Sequence, residues 1–207
     1  MLDLARGAAA CDVIEGGSVE VLRDLHRPGC AAAIWQRRLP PLFSQWLDAL
    51  PDGCLPRLRS GVPLHGVANL VQDTCRAAFS GADAGQALLA EDVARLAAEF
   101  SRIAGKDALQ IRLDVVRGNA CSKFHVDYVP ARLLCTYRGA GTQYGLASET
   151  GEPEQVQQMQ AGWVGLFRGR LWPGDLPCGL LHRSPPIAGS GETRLLLVID
   201  AAQDSDD

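Results

Sequence analysis

Two histidines and one aspartate in the second half of the chain have residue types and spacing suited to binding a metal. His125 and Asp127 form an H-x-D motif in the stretch Phe124-His125-Val126-Asp127. Residues i and i+2 of a strand point to the same face of the sheet, so the imidazole and the carboxylate would project side by side. His182 ends a later apolar stretch, and the three side chains can occupy one face of an octahedral ion while leaving its other positions open.

The H-x-D motif alone is a weak signal, because 24 of the 207 residues are acidic and the chain has four histidines. In the absence of a metal, His125 and Asp127 would simply share a hydrogen bond at a strand end. Cys121 and Cys135 flank the motif and offer thiolate ligation instead, which would favour zinc. The full set of two histidines and one carboxylate favours non-haem Fe(II).

Arg194 is a candidate for binding an anionic cofactor. It opens the last predicted strand, where Leu196 and Val198 share its face and the opposite face is also apolar. Its guanidinium would therefore point into a covered space and require an anionic partner. The alternative is a surface ion pair with Glu192 at the start of the strand.

Arg132 and Tyr137 are two further cofactor-binding candidates. Arg132 belongs to a polar stripe with Thr136 and Arg138 that either lines a pocket or faces water. Tyr137 lies on the other stripe of the same strand. It is either a hydrogen-bond donor to an acidic co-substrate or a core tyrosine whose hydroxyl has a partner.

The H-x-D motif, together with the pattern G-D…L-H…P-P…E-T-R over residues 174–194, resembles the Fe(II)- and 2-oxoglutarate-dependent dioxygenases. The resemblance covers about residues 108–200 and implies a double-stranded β-helix, the jelly-roll architecture of cupins. It would make His125, Asp127 and His182 the iron ligands, and Arg194 the partner of the distal carboxylate of 2-oxoglutarate. A guanidinium suits this role because its parallel donors match two carboxylate oxygens.

A closer similarity involves the segments 121–145 and 180–186. They resemble a bacterial family known as domain of unknown function 1826, and this similarity extends over nearly the whole chain. The family has no established activity, so the resemblance supports the site and leaves the reaction open.

The predicted secondary structure that positions these residues changes near residue 108, from mainly helices to mainly strands. Apolar residues before it recur at helical spacing, and the alternation after it is typical of short strands. The predicted helices span 40–50, 67–79 and 86–103, and the predicted strands span 18–22, 31–35, 108–116, 123–128, 131–137, 162–167, 178–182 and 193–199. We expect a single α+β domain in which a mainly helical part, residues 1–107, packs on a β-rich metal-binding jelly roll, residues 108–200. An acidic tail, 201–207, follows.

Composition excludes several classes of function. Lys and Arg number 20 against 24 Asp and Glu, a net charge of −4, and 47% of the residues are hydrophobic. With no basic run to neutralise phosphates, we expect no nucleic-acid partner, and with no long apolar stretch we expect no membrane partner. The seven cysteines contain no C-x-x-C pair, which favours a reducing compartment and predicts a cytoplasmic protein.

Three hypotheses for function follow from the sequence. The first is a hydroxylase-type oxygenase that uses Fe(II) and 2-oxoglutarate on a small molecule or peptide. The second is a non-redox, cupin-like zinc protein of metal homeostasis or sensing. The third is a jelly-roll interaction domain without a metal. The first accounts for the position of Arg194 as well as for the three ligands, and we prefer it for that reason.

Overall fold

Two β-sheets make up most of the computed structural model, which describes residues 9–79, 84–119 and 121–202. The strands in this part of the chain are β1 (Asp12–Gly16), β2 (Cys30–Trp35), β3 (Leu58–Pro63), β4 (Ala108–Val116), β5 (Ala131–Arg138), β6 (Gln143–Leu146), β7 (Gln157–Gln158), β8 (Val164–Arg168), β9 (Leu180–Arg183) and β10 (Arg194–Ala201). The larger sheet has the order β1-β2-β8-β5-β10-β4-β3, and the smaller has the order β7-β6-β9. In the larger sheet β1 is parallel to β2, and all other neighbouring strands are antiparallel.

The larger sheet is covered on both faces. Strand β10 lies near its centre and is buried from Arg194 to Asp200, as expected for a strand whose apolar residues continue without alternation. Helices cover one face, against which Leu109, Ile111 and Leu113 of β4 pack. The smaller sheet covers the other face, where a second hydrophobic cluster joins residues of both sheets. The molecule therefore has three layers, with the larger sheet in the middle.

The described residues form three α-helices and three 3-10 helices, the latter at Val19–His26, Asp52–Cys54 and Leu64–Gly66. The α-helices are α1 (Pro41–Ala49), α2 (Val67–Ala78) and α3 (Ala84–Ala104). Helix α1 begins at a proline, which fits the first turn because its missing N–H would have no partner there, and it ends before Pro51. None of the helices in the described ranges is long and apolar enough to cross a membrane.

Most of the predicted elements are confirmed. The three helices lie where their periodicity places them, with ends that differ by no more than two residues. The strands predicted at 31–35, 108–116, 131–137, 162–167, 178–182 and 193–199 are present within the same margin. The mixed helix-and-sheet class is therefore confirmed.

Two predicted strands are wrong. The segment 18–22 belongs to a 3-10 helix, Val19–His26, because Val21, Leu22 and Leu25 bury one side of a helical turn. The segment 123–128 is not a strand, and only His125 forms a bridge, with His182. The backbone leaves this pairing two residues later, where the carbonyl of Asp127 accepts a hydrogen bond from the Arg170 N–H.

The expected division into a helical and a β half also needs correction. Strands β1, β2 and β3 precede residue 108 and belong to the larger sheet. The first half of the chain therefore contributes to the larger sheet as well as to the helical layer. Strands β1, β3, β6 and β7 were not predicted. Of the acidic tail, Ala201 ends β10, and residues 203–207 lie outside the described residues.

Candidate metal centre

The three predicted ligands come from two segments that the backbone holds together. His125 and Asp127 lie between β4 and β5, and His182 lies in β9. The His125 N–H donates to the His182 carbonyl and the His182 N–H donates to the His125 carbonyl, both at 3.0 Å. This reciprocal pair fixes the two imidazoles beside each other, with ring centres 4.8 Å apart.

The ligand atoms converge on one point. One atom from each of the three side chains lies within 4.8 Å of the other two. His182 Nε2 is 2.9 Å from Asp127 Oδ2, and His125 Nε2 is 3.5 Å from Asp127 Oδ1. Asp127 Oδ2 is buried and makes no hydrogen bond of good geometry with any residue that the structure describes. Because a buried carboxylate oxygen is costly without a partner, this arrangement fits a cation between the three side chains.

Hydrogen bonding sets the orientation of the His125 ring. Its Nδ1 lies 2.9 Å from the carbonyl oxygen of Lys123. A carbonyl can only accept, so Nδ1 carries a proton, which leaves Nε2, the ring nitrogen beside Asp127, as the atom that could ligate a metal. A histidine that ligates a metal is commonly held by such a bond from its other ring nitrogen.

The surroundings favour a charged aspartate and a neutral His182. Burial alone would raise the pKa of Asp127, but contacts with the His125 and His182 imidazoles and the charge of Arg132 bring it well below its ordinary value. Burial lowers the pKa of His182, which is 5% exposed. The pKa of the half-exposed His125 is raised, chiefly by its hydrogen bond with Asp127. A carboxylate with a neutral imidazole is the protonation state that binds a metal.

Arg132 lies behind the carboxylate of Asp127 and positions it. Its Nη1 bonds to Asp127 Oδ1, while its Nε and Nη2 each donate to Asp200 at 2.7 Å. The guanidinium is thus shared by two buried carboxylates. The structure places Arg132 beside the three predicted ligands, where it contacts Asp127 and Asp200, whereas the sequence predicted it as a cofactor-binding residue.

A cavity of about 610 Å³ opens beside two of the predicted ligands, and its lining includes His125, Arg132 and His182. Leu134, Leu196 and Val198 of the larger sheet form its apolar floor. The rest of its wall is made by Arg57, Leu58, Arg59, Arg112, Leu113, Asp114, Val115, Val116, Arg117, Gly118, Cys121, Thr142, Arg183 and Ser184. This volume is in the range of small-molecule sites.

Tyr137 lies outside this site, which corrects its prediction as a cofactor-binding residue. It is buried in the core under the helices, on the side of the larger sheet away from the cavity. Its hydroxyl donates to Asp92 Oδ2 at 2.7 Å, and burial raises its pKa well above the ordinary value. Cys135 lies in the same core, whereas Cys121 lines the cavity, so the two thiols do not form a shared metal site.

Arg194 is fully buried, as its flanking apolar residues predict. Its Nε donates to the Ala140 carbonyl at 2.5 Å, and its Nη2 donates to Thr136 Oγ1 at 3.3 Å. Its Nη1 has no hydrogen-bond partner among the residues that the structure describes. Burial lowers the pKa of Arg194 to about 10. The guanidinium thus retains an unused donor, although Arg194 does not line the cavity in this conformation.

Sequence reasoning missed Asp200 and the arginines of β3 and β4. Asp200 carries no motif, and only the pairing of β10 with β5 places it opposite Arg132. Arg59 and Arg112 likewise reach the cavity through the pairing of β3 with β4, and β3 was not predicted. The alternation of β4 could have assigned Arg112 to the face opposite Leu113, but could not have placed that face beside the metal ligands.

Two solved plant structures have a similar fold. The dioxygenase for auxin oxidation from rice is 14% identical, with a TM-score of 0.56 over 95% of this chain and 84% of that one. The 2-oxoglutarate complex of dioxygenase for auxin oxidation 1 from Arabidopsis thaliana is 12% identical, with a TM-score of 0.53 over 95% and 94% of the respective chains. The protein thus has the fold of these dioxygenases. No curated protein matches its sequence.

The amino-acid sequence shows the family to which the chain belongs. The model described as Protein of unknown function (DUF1826) matches residues 16–200, and the chain belongs to this family. The matched region contains strands β2 to β9, nearly all of β10 and the three predicted metal ligands.

Proposed function

We propose that this protein is a non-haem oxygenase that depends on Fe(II) and 2-oxoglutarate and is built on a double-stranded β-helix. The observation that carries the proposal is the convergence of His125, Asp127 and His182, two of which line a cavity, with a buried oxygen of Asp127 lacking a hydrogen bond among the described residues. Two histidines and one carboxylate are the ligand set of iron oxygenases that keep coordination positions open. The two facing sheets support the β-helix assignment, as does the fold shared with two dioxygenases.

The residues of the chain have distinct roles in this proposal. His125, Asp127 and His182 hold the metal from one side, and Arg132 fixes the carboxylate. Arg194 offers its unused Nη1 donor to the distal carboxylate of 2-oxoglutarate, a pairing that suits a buried guanidinium without a carboxylate of its own. When bound, Fe(II) and 2-oxoglutarate supply the oxidising power, and the apolar floor keeps water from the reacting carbon.

The oxygenase hypothesis accounts for more of the site than the zinc hypothesis does. A structural zinc site is closed by four protein ligands, whereas this cluster has three candidate ligands among the described residues, and two of them line a cavity. A zinc protein of homeostasis or sensing would have no use for the unpaired donor of Arg194. It stays the alternative that the following assay excludes or supports.

Production of succinate from 2-oxoglutarate tests the proposal. We expect the Fe(II)-loaded protein to form succinate in air even without a substrate, at a slow rate, and the zinc-loaded protein to form none. Replacing Arg194 by methionine removes the donor but keeps an apolar chain of similar length, so the KM for 2-oxoglutarate should rise about tenfold or more. Succinate formation that is equal with iron and with zinc, or unaffected by His182→Ala, would contradict the proposal.

A further inference from the structure

Four arginines of the cavity wall lie in or next to β3 and β4, at one edge of the larger sheet. They are Arg57, Arg59, Arg112 and Arg117, and Asp114 is the one carboxylate among the described residues of the wall. The chain as a whole has a net charge of −4, so this positive charge is local. A concave site with an excess of guanidinium groups attracts anions.

Arg59 and Arg112 are arranged in a way that folding alone does not favour. They lie directly opposite each other on the antiparallel strands β3 and β4. Like charges in that position repel and destabilise a sheet. The nearest carboxylate to Arg112 is Asp114, at 4.0 Å, and the buried Nε of Arg112 has no hydrogen-bond partner in the described parts of the chain. An anion bound between the two guanidiniums would relieve the repulsion and satisfy this donor.

The strand register relates Arg112 to the strand that carries Arg132. Arg112 pairs with Val198 of β10, and Val198 pairs with Leu134 of β5, the strand that also carries Arg132. Because adjacent strands lie about 4.8 Å apart, Arg112 is about 10 Å across the sheet from Leu134. The side chains of Val198 and Leu134 are apolar and line the cavity.

We propose that the cavity binds a small organic anion by its phosphate or carboxylate group at Arg59 and Arg112, with a hydrocarbon portion lying over Leu134, Leu196 and Val198. Two adjacent guanidiniums favour a dianionic group, so a phosphate monoester is expected to bind more tightly than a carboxylate. The end of the molecule away from the anion would then lie at the metal. This assigns a substrate class to the proposed oxygenase, and only the oxidation of that end rests on the proposed function.

Calorimetric titration with hexyl phosphate, hexanoate and inorganic phosphate tests the anion site, with the metal-free and the Fe(II)-loaded protein. We expect hexyl phosphate to bind more tightly than either other probe, because each methylene buried on the apolar floor lowers Kd about three- to fourfold. In the variant Arg59→Gln/Arg112→Gln its Kd should rise about tenfold or more. The matched control is Arg76→Gln/Arg102→Gln, which removes two charges from exposed helix surfaces and should leave Kd unchanged.

Thermal unfolding shows whether a loss of binding in the variant is caused by a loss of the folded structure. Because the substitution removes a like-charge contact, the melting temperature of Arg59→Gln/Arg112→Gln without ligand should equal or exceed that of the unaltered protein. Hexyl phosphate should raise the melting temperature of the unaltered protein and not that of the variant. Binding that is absent in the unaltered protein, or equal in the variant, would overturn the proposal. If the protein binds hexyl phosphate but cannot be loaded with Fe(II), the anion site is supported and the proposed oxygenase is contradicted.

Discussion

Replacing Asp127 by alanine is expected to lower the affinity for Fe(II) about a hundredfold or more, since even residues that only support a metal ligand change affinity about ten- to a hundredfold. Asp127 supplies the only carboxylate among the three ligands. Without it, the ion would meet two imidazoles and the positive charge of Arg132. The fold should persist, because Arg132 keeps its two bonds to Asp200.

Anaerobic titration of metal-free protein with Fe(II) measures this loss, and thermal unfolding gives a second readout. Saturating Fe(II) should raise the melting temperature of the unaltered protein, since an ion that binds only the folded state stabilises it. The matched control is Asp114→Ala, which removes a carboxylate from the same cavity but not from the ligand set. Equal Fe(II) affinity in Asp127→Ala and Asp114→Ala would contradict the assignment of Asp127 as a ligand.

A large effect on stability is expected at Asp92, far from the metal. Asp92 binds Arg37 through two bonds of 2.6 Å and accepts a third from the Tyr137 hydroxyl. The side chains of Arg37 and Asp92 are only 9% and 14% exposed. Removing one partner of a buried ion pair leaves the other charge without compensation, so Asp92→Ala should lower the free energy of unfolding by about 3–5 kcal/mol.

Urea denaturation measures this change, with Asp73→Ala as the control. Asp73 pairs with Arg76 on the surface of α2, where both side chains are more than half exposed. An exposed pair contributes less than about 1 kcal/mol, so the control should be nearly neutral. A loss below about 1 kcal/mol in Asp92→Ala would show that the buried network is not needed for stability. Tyr137 would then also lose its explanation as a structural residue.

The cluster of His125, Asp127 and His182 could be predicted from the sequence because its signal is one of residue type. Histidines are few in this chain, and an H-x-D motif followed by a histidine at a strand end limits the choice. The strand assumed for residues 123–128 was nevertheless wrong. His125 and Asp127 are brought together by a single bridge to His182 and by the Asp127 carbonyl, not by a regular strand. The local pattern thus predicted which three side chains lie together, but not the backbone that carries them.

Other parts of the site depend on long-range pairing, which local pattern does not contain. Strand β3 has the sequence LRSGVP. Glycine and proline are uncommon inside strands, so this edge strand was not predicted. Its pairing with β4 is what places Arg59 beside Arg112. Tyr137 was a plausible cofactor residue because either face of β5 could have been the pocket face. The packing of the helices decided this by covering the face that carries Tyr137.

The most direct test of the central claim is anaerobic addition of 2-oxoglutarate to the Fe(II)-loaded protein, followed by visible absorption. The account predicts a charge-transfer band that saturates at about one equivalent of 2-oxoglutarate, as a chelating oxo-acid at one open iron site requires. The band should be absent in Asp127→Ala and present in Asp114→Ala. Iron that binds to His125, Asp127 and His182 without giving this band would contradict the dependence on 2-oxoglutarate.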